Sequence, residues 1–336
     1  MKERAEAINQ DKRTGDRRER LRRLIITTSV TTAYGLLIWL AFDLLGIADL
    51  MTSAILFWLP MAIGAISVYF YGWNSMIRWV ILPILGISIF FGVILGSGLD
   101  GALCLLIIAI PFFLSAILGG ILIAIVKFVL KKNGHVSIVL IALFPLLAGP
   151  IESQFNGTYE ENEVVTTVVV NVPRVDVWDR LISVDSIEKE ELSWSLIHAI
   201  GVPAPVSSRL EECGSGAIRH ITWEQGIRFE EHITEWKRGE HFSYRVVVDQ
   251  NSIPPEALDK HVRVGGEYFD VLDGGYRLLT LTDSTTLVEL RCRYRLKTRF
   301  NWYARLWGNY IMDDFQRVIL NVIRGRCERN ACPEIT

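Results

Sequence analysis

Apolar residues come in long unbroken runs over the first 151 positions of this chain and in short alternating ones after position 164. Four of the long runs, 24–45, 51–73, 79–95 and 102–130, meet the length of a membrane-crossing helix. A hydrocarbon layer of about 30 Å takes roughly 20 residues at about 1.5 Å each, and no backbone amide can stay unpaired inside it. A fifth run, 136–151, is shorter and carries Pro145 and Pro150. Successive runs of this kind predict a membrane all-α bundle of about five transmembrane helices, not helices buried in a soluble core.

The second half changes period. In "TTLVELRCRYRLKT", Thr286, Val288, Leu290, Cys292, Tyr294 and Leu296 share one face while Glu289, Arg291, Arg293, Arg295 and Lys297 share the other. An apolar and a charged face at period two describe an antiparallel strand wet on one side. Segments 227–236 and 241–249 flank "KRGE" as the arms of a hairpin, and another hairpin turns around Asp283 and Ser284. Helix signals are few: 172–183, opened by Pro173, and a long stretch over 301–329. In the latter, Tyr303, Trp307, Tyr310, Asp314 and Val318 recur at three or four, which gives one aromatic and aliphatic face.

Charge refines the boundaries. The net charge of −2 conceals 13 Lys and Arg against 8 Asp and Glu up to Pro150, and 22 against 29 beyond it. That net charge gives no reason to expect nucleic acid as a partner, whose binding needs a clustered basic face. Residues 1–23, with 9 basic and 5 acidic side chains, read as a polar tail, partly helical or disordered. The chain then divides into a membrane region over 24–151, an acidic linker over 152–163, a globular domain over 164–329 and a short tail over 330–336. Lys and Arg resist translocation, so the basic tail, Arg78, Lys127, Lys131 and Lys132 belong on the cytoplasmic side of an inner membrane. Asp49, Asp100 and the acidic exit segment then fall outside, with the globular domain, provided that the fifth run crosses. A re-entrant fifth run returns that domain to the cytoplasm.

Several motifs carry no chemistry here. "GSGLDG" at 96–101 fits a dinucleotide fingerprint but joins two spans instead of a strand and a helix, so it reads as a flexible turn. "GVILG" at 92–96 has the spacing that lets helices approach closely in lipid. Ionisable residues inside membranes mark transport paths, yet these spans hold only Asp43, near an end, which disfavours an ion-coupled transporter. His220, His232 and His241 sit on separate strands, no zinc motif occurs, and no metal or cofactor is expected. Cys104 lies in a span; Cys213, Cys292, Cys327 and Cys332 are either free thiols or paired, a Cys327–Cys332 clip being the local option. "NGT" at Asn156 accepts a glycan only in a eukaryotic secretory pathway.

The ordered pieces "VNVPRVDVWDRL", "IGVPAPVSSRLEECGSGAIRHITW", "GIRFEEHITEWKRGEHFSYRVV", "GGYRLLTLTDSTTLVELRCRY" and "WYARLWGNYI" resemble the START-like, or SRPBCC, superfamily, which includes polyketide cyclase and dehydrase-like proteins. The resemblance covers about 164–328. It implies an α+β helix-grip domain, a curved antiparallel sheet around a long C-terminal helix, that holds a hydrophobic ligand; some members are enzymes.

Within that outline Glu231 is the residue to watch. Alternation puts it beside Phe229 and Ile233 on the inward face, where loss of water raises a carboxyl pKa or demands a partner. It is open to two readings: a pocket acid that binds a head group or moves a proton, or a structural Glu, either at a strand edge or bulge or paired with an Arg of a neighbouring strand. Tyr244, Tyr276, Tyr294, Trp307 and Tyr310, with Phe229, are candidate cavity-lining residues, or plain core. The strip Arg291, Arg293, Arg295 and Lys297 either meets anionic lipid or is a solvated sheet face. Three functions remain in view: a membrane-tethered binder of a lipid or other hydrophobic small molecule; a cyclase- or hydrolase-type enzyme using Glu231; or a ligand-free scaffold for another membrane protein.

Overall fold

The computed structural model describes residues 2–46, 51–72, 75–130, 134–155, 157–249, 253–254 and 263–329, with backbone only for 2–14, 130 and 134–137. Trp73, Asp49, Lys131, Lys132, Asn156, Cys332 and the 330–336 tail lie outside the described residues. The chain forms two compact units.

The helical unit contains α1 (Lys2–Leu44), a π-turn (Ala54–Trp58) leading into α2 (Leu59–Tyr71), α3 (Met76–Ser97), α4 (Ala102–Leu130) and α5 (Gly134–Glu152). The basic segment is no separate tail: α1 runs through it into the first apolar run without a break. The π-turn places the Leu59 amide on the Ala54 carbonyl and so relaxes the helix just before Pro60, which has no amide to donate. Among the described residues, four helices are long and apolar enough to cross a membrane: Gly15–Leu44, Ala54–Tyr71, Met76–Ser97 and Ala102–Val129. Four of the five expected runs meet that length here; the fifth is the shorter apolar helix over Ile138–Glu152. Leu37, Ile77, Leu114 and Phe128 are each more than 60% exposed, a surface suited to hydrocarbon and not to water.

Backbones meet closely in this unit where side chains are missing. A Cβ on Gly64 would lie 1.9 Å from the Ala116 carbonyl oxygen, and one on Gly119 would lie 2.0 Å from that of Met61. The spacing at Gly92 and Gly96 is not such a contact, since a Cβ at either meets nothing within 4 Å. Hydroxyls are satisfied locally, with Thr28, Thr31 and Ser67 donating to the carbonyls of Leu24, Thr27 and Ile63. At the end of α5, the Glu152 carboxylate accepts from the Ser53 amide (2.7 Å), the Ser53 hydroxyl (2.8 Å) and the Ala54 amide (3.1 Å). A negative charge thus caps the free amides that open the next helix.

The second unit is a seven-stranded antiparallel sheet curled into a half-barrel, in the order β1-β7-β6-β5-β4-β3-β2. Its strands are β1 (Thr158–Val170), β2 (Pro205–Leu210), β3 (Ile218–Trp223), β4 (Arg228–Lys237), β5 (His241–Val247), β6 (Phe269–Thr282) and β7 (Thr285–Thr298). Short helices α6 (Arg174–Leu181) and α7 (Leu196–Ala199) follow β1, and α8 (Asn301–Arg329) closes the chain. Bulges in β4 between Ile233 and Glu235, and in β6 between Val271 and Asp273, help to bend the sheet.

β7 alternates as expected, with Thr286, Val288, Leu290, Cys292, Tyr294 and Leu296 all buried. Against this face α8 lays Ala304, Gly308, Phe315, Val318, Leu320, Val322, Ile323 and Cys327. Tyr294 fits under the helix at Gly308, where a Cβ would come within 2.7 Å of its hydroxyl, and donates to Asn309 Oδ1 at 2.6 Å. The proposed linker over 152–163 is corrected: α5 reaches Glu152 and β1 already begins at Thr158. Its acids are strand residues because β7 offers bases across the ladder. Glu163 lies 3.4 Å from Arg291 and Glu161 lies 3.6 Å from Arg293. Asp273 and Asp270 on β6 engage Arg293 and Arg295 from the other side, so the basic strip is a paired outer face. The outer face also holds a groove of about 460 Å³ lined in part by Glu163, Glu235, Arg245, Asp273, Arg291 and Arg293.

Candidate functional site

Glu231 stands on β4 directly opposite Arg219 on β3, and both side chains turn inward. Arg219 Nη1 donates to Glu231 Oε2 at 2.7 Å. Its Nη2 donates to Ser208 Oγ on β2 at 2.9 Å and to the Leu181 carbonyl at the end of α6 at 3.2 Å. The Nε of Arg219 is buried and has no partner. The guanidinium also lies over the rings of Phe242 (5.7 Å) and Tyr276 (5.6 Å). Tyr244 donates a hydrogen bond to the Glu231 carboxylate. Next to Tyr244, Gly274 leaves room for the ring, since a Cβ there would sit 2.7 Å from the hydroxyl.

Burial sets the electrostatics. It raises the Glu231 carboxyl above the ordinary value, against the opposing pull of the Arg219 charge and the hydrogen bonds from Arg219 and Tyr244. For Arg219, burial alone would lower the pKa, but the Glu231 charge and the two tyrosines outweigh it, and the guanidinium stays charged. Burial pushes Tyr276 and Cys292 up to about 12 each, and Tyr244 well above its ordinary value. None of these three deprotonates near neutrality.

The structure brings together three of the seven candidate residues, Glu231, Tyr244 and Tyr276. Phe229 belongs to a separate cluster with Trp223, Ile227 and Ile253. Tyr294 is fully buried and uses its hydroxyl to fasten α8. Trp307 is half-buried and packs edge-on against Tyr310, whose 44% exposure removes it from any interior site. That correction has a simple cause: the buried stripe of α8 passes through Ala304 and Gly308, and their small side chains let Tyr294 and the sheet approach. Asp314 likewise is no part of an apolar face, since it accepts from the Ser195 hydroxyl (2.6 Å) and the Ile197 amide (3.2 Å).

Arg219 was missed at the sequence level, although the signal exists. In "IRHITW" it alternates with Ile221, as Glu231 does with Ile233, so opposite charges on adjacent strands both face inward. The wall around the pair is aromatic: Trp178 from α6 meets Trp236 and Phe242 edge-on at 5.1 and 5.8 Å, and Phe242 tilts against Tyr276 at 5.2 Å. The histidines do not converge inward. His220 and His232 meet Glu230 on the outer face, at 3.9 and 2.7 Å, and no metal-binding group of three occurs among the described residues.

No family model matches the chain, and no curated protein matches it. Solved structures similar to it cover about half of the chain. The Zhui aromatase/cyclase of Streptomyces sp. R1128 is 17% identical, with a TM-score of 0.34, over 52% of this chain and 97% of that one. Norcoclaurine synthase of Thalictrum flavum is 10% identical, with a TM-score of 0.33, over 52% and 99%. A conserved protein of Geobacillus kaustophilus is 13% identical, with a TM-score of 0.30, over 52% and 97%. The description of this unit as a helix grip rests on its own strand order and closing helix.

Proposed function

We propose that the globular unit is a membrane-tethered receiver for a lipid or other apolar molecule with a hydrogen-bonding head group, which Arg219, Glu231, Tyr244 and Tyr276 would hold. The observation that carries this reading is the partnerless Nε of Arg219, on a side chain only 4% exposed. Buried ion pairs are a poor means of stabilising a fold, because desolvation offsets their attraction and apolar replacements are commonly neutral or better. A charged pair kept among aromatic rings with a donor to spare suits recognition of a polar group on a greasy body.

For the tether we propose that α5 also crosses, which puts the globular unit on the side opposite the N-terminus of α1. Its 19 residues span about 28 Å at 1.5 Å each. Tyr34 donates to the Ala142 carbonyl at 2.7 Å, Gly149 abuts Phe42, and Glu152 caps the helix at Ser53. These pairings support an α5 that runs alongside α1 in the same direction.

The test is extraction of the full chain in native nanodiscs and mass spectrometry of what co-purifies. An apolar molecule recovered with the wild type and lost from an Arg219→Met/Glu231→Met double variant supports binding. Recovery of a different molecule from Glu231→Gln than from the wild type supports the second reading, an enzyme, which the raised Glu231 pKa and the Tyr244 hydrogen bond favour. No apolar molecule from any form, with folding intact, removes both and leaves the scaffold.

A further inference from the structure

The exposed side of α8 changes character along its length. In the first turns Trp302, Leu306 and Tyr310 are 60%, 59% and 44% exposed, spaced by four residues, beside an exposed Asn309 and an exposed Arg305 that pairs with Glu160. From residue 317 on, the exposed positions are Arg317, Arg324 and Arg329. Helix packing explains neither the first set nor the switch, since the gripping face through Ala304, Gly308 and Phe315 points elsewhere.

The aromatic end is also the end where the chain arrives from the helical unit. Asn301, the first residue of α8, donates through Nδ2 to the carbonyl of Thr158, the first residue of β1, at 2.7 Å. The same side chain accepts from the Thr298 amide and hydroxyl at 2.8 Å each, so strand β7, strand β1 and the helix start are joined at one point. On the other side of the junction, turn hydrogen bonds continue α5 past Glu152, through Ser153 and Gln154 to Phe155. Only residues 156–157 separate that turn from Thr158, and their full extension is about 10 Å. Phe155 and Ile151 are 67% and 61% exposed, and Tyr159, the second residue of β1, is 59% exposed.

We infer that Trp302, Leu306 and Tyr310 rest in the head-group layer of the bilayer that the apolar helices cross. The inference rests on the membrane reading of the helical unit. Tryptophan and tyrosine favour that layer because an apolar ring and a polar tip are both satisfied there. The tether is too short to carry the start of α8 away from it, and the arginines further along the same helix would then face water.

The full chain, with Cys213→Ser and Cys332→Ser, is reconstituted in vesicles of phosphatidylcholine and phosphatidylglycerol containing a doxyl-labelled lipid. A bimane is placed at Leu306→Cys or, as the control, at Arg324→Cys. The expected result is quenching at 306 at least about threefold that at 324, as an interfacial position requires. Equal quenching, in protein that remains in the vesicles after alkaline carbonate, overturns this inference and leaves the membrane reading intact. Release by carbonate overturns both. Crosslinking of two copies through 306 without lipid quenching overturns it in favour of self-association.

Discussion

The two units bury polarity in opposite ways. In the helical unit the buried hydroxyls of Thr31 and Ser67 turn back on their own helices, and close contact is achieved by leaving side chains out, at Gly64 and Gly119. In the sheet unit the buried polar groups reach across elements: Arg219 joins β3 to β4, β2 and α6. The Thr166 hydroxyl on β1 likewise hydrogen-bonds with Asp313 and Gln316 on α8. Local satisfaction leaves helices free to be chosen by shape, whereas satisfaction across strands makes one residue's loss felt in several elements at once.

The sharpest way to break this contrast is to put a side chain where the helices have none. Gly119→Leu should force α2 and α4 apart and lower stability by about 3–5 kcal/mol or prevent assembly. Gly92→Leu should change it by less than about 0.5 kcal/mol. Thermal unfolding of the detergent-solubilised chain checks both, and similar melting temperatures would contradict the packing described.

Next in size is the buried pair. Arg219→Met alone should destabilise the sheet unit by about 3–5 kcal/mol, because it strands the Glu231 carboxylate. Adding Glu231→Met should recover most of that loss, giving a large coupling in a double-mutant cycle of denaturant melts. Strict additivity would mean that the two side chains do not act as a unit.

A smaller effect separates the carboxylates by pH. A hydrogen bond from Arg326 is the main influence that lowers Glu191, to about 2, with Arg329 also in contact. A depressed carboxyl pKa stabilises the fold above the ordinary value of 4.5, and that contribution disappears as pH falls toward 2. We expect a loss on the order of 1–3 kcal/mol across that window, absent in Glu191→Gln, by acid titration of the folded fraction. Glu231 should behave inversely: its raised pKa favours the folded state at low pH and weakens it as pH rises through the folded value.

The smallest effect belongs to the outer charge ladder. Arg291→Ala, which removes a half-exposed partner of Glu163, should change stability by less than about 1 kcal/mol, and less still at high salt. A larger loss would give the outer face a part in the fold that its exposure does not predict.

The same contrast explains what could be read in advance. Apolar length is a one-dimensional property, so the helices of the first unit are visible in the sequence, although their partners are not: Gly64 and Gly119 carry no spacing signal of their own. Period two makes β4, β5 and β7 legible and places Glu231 inward. The first half of β6 stayed hidden because Asp273, Gly274 and Gly275 look like a turn, and the glycine opposite Tyr244 is explained only once that ring is beside it. The first half of β1, up to Glu163, reads as a linker because its acids have meaning only beside the arginines of β7. The face of α8 was misjudged because large aromatic residues were given the interior that Ala304 and Gly308 occupy.

The uninterrupted first helix has a mechanical corollary. Forty-three residues without a break make a rod of about 64 Å, roughly twice the hydrocarbon thickness. Arg20 and Arg23 pair with Asp16 and Glu19 one turn earlier, which stiffens the part beyond the apolar run. With no hinge between the two stretches, whatever grasps the charged end gains a lever: its push or tilt is transmitted as rigid motion to the buried end of the shaft.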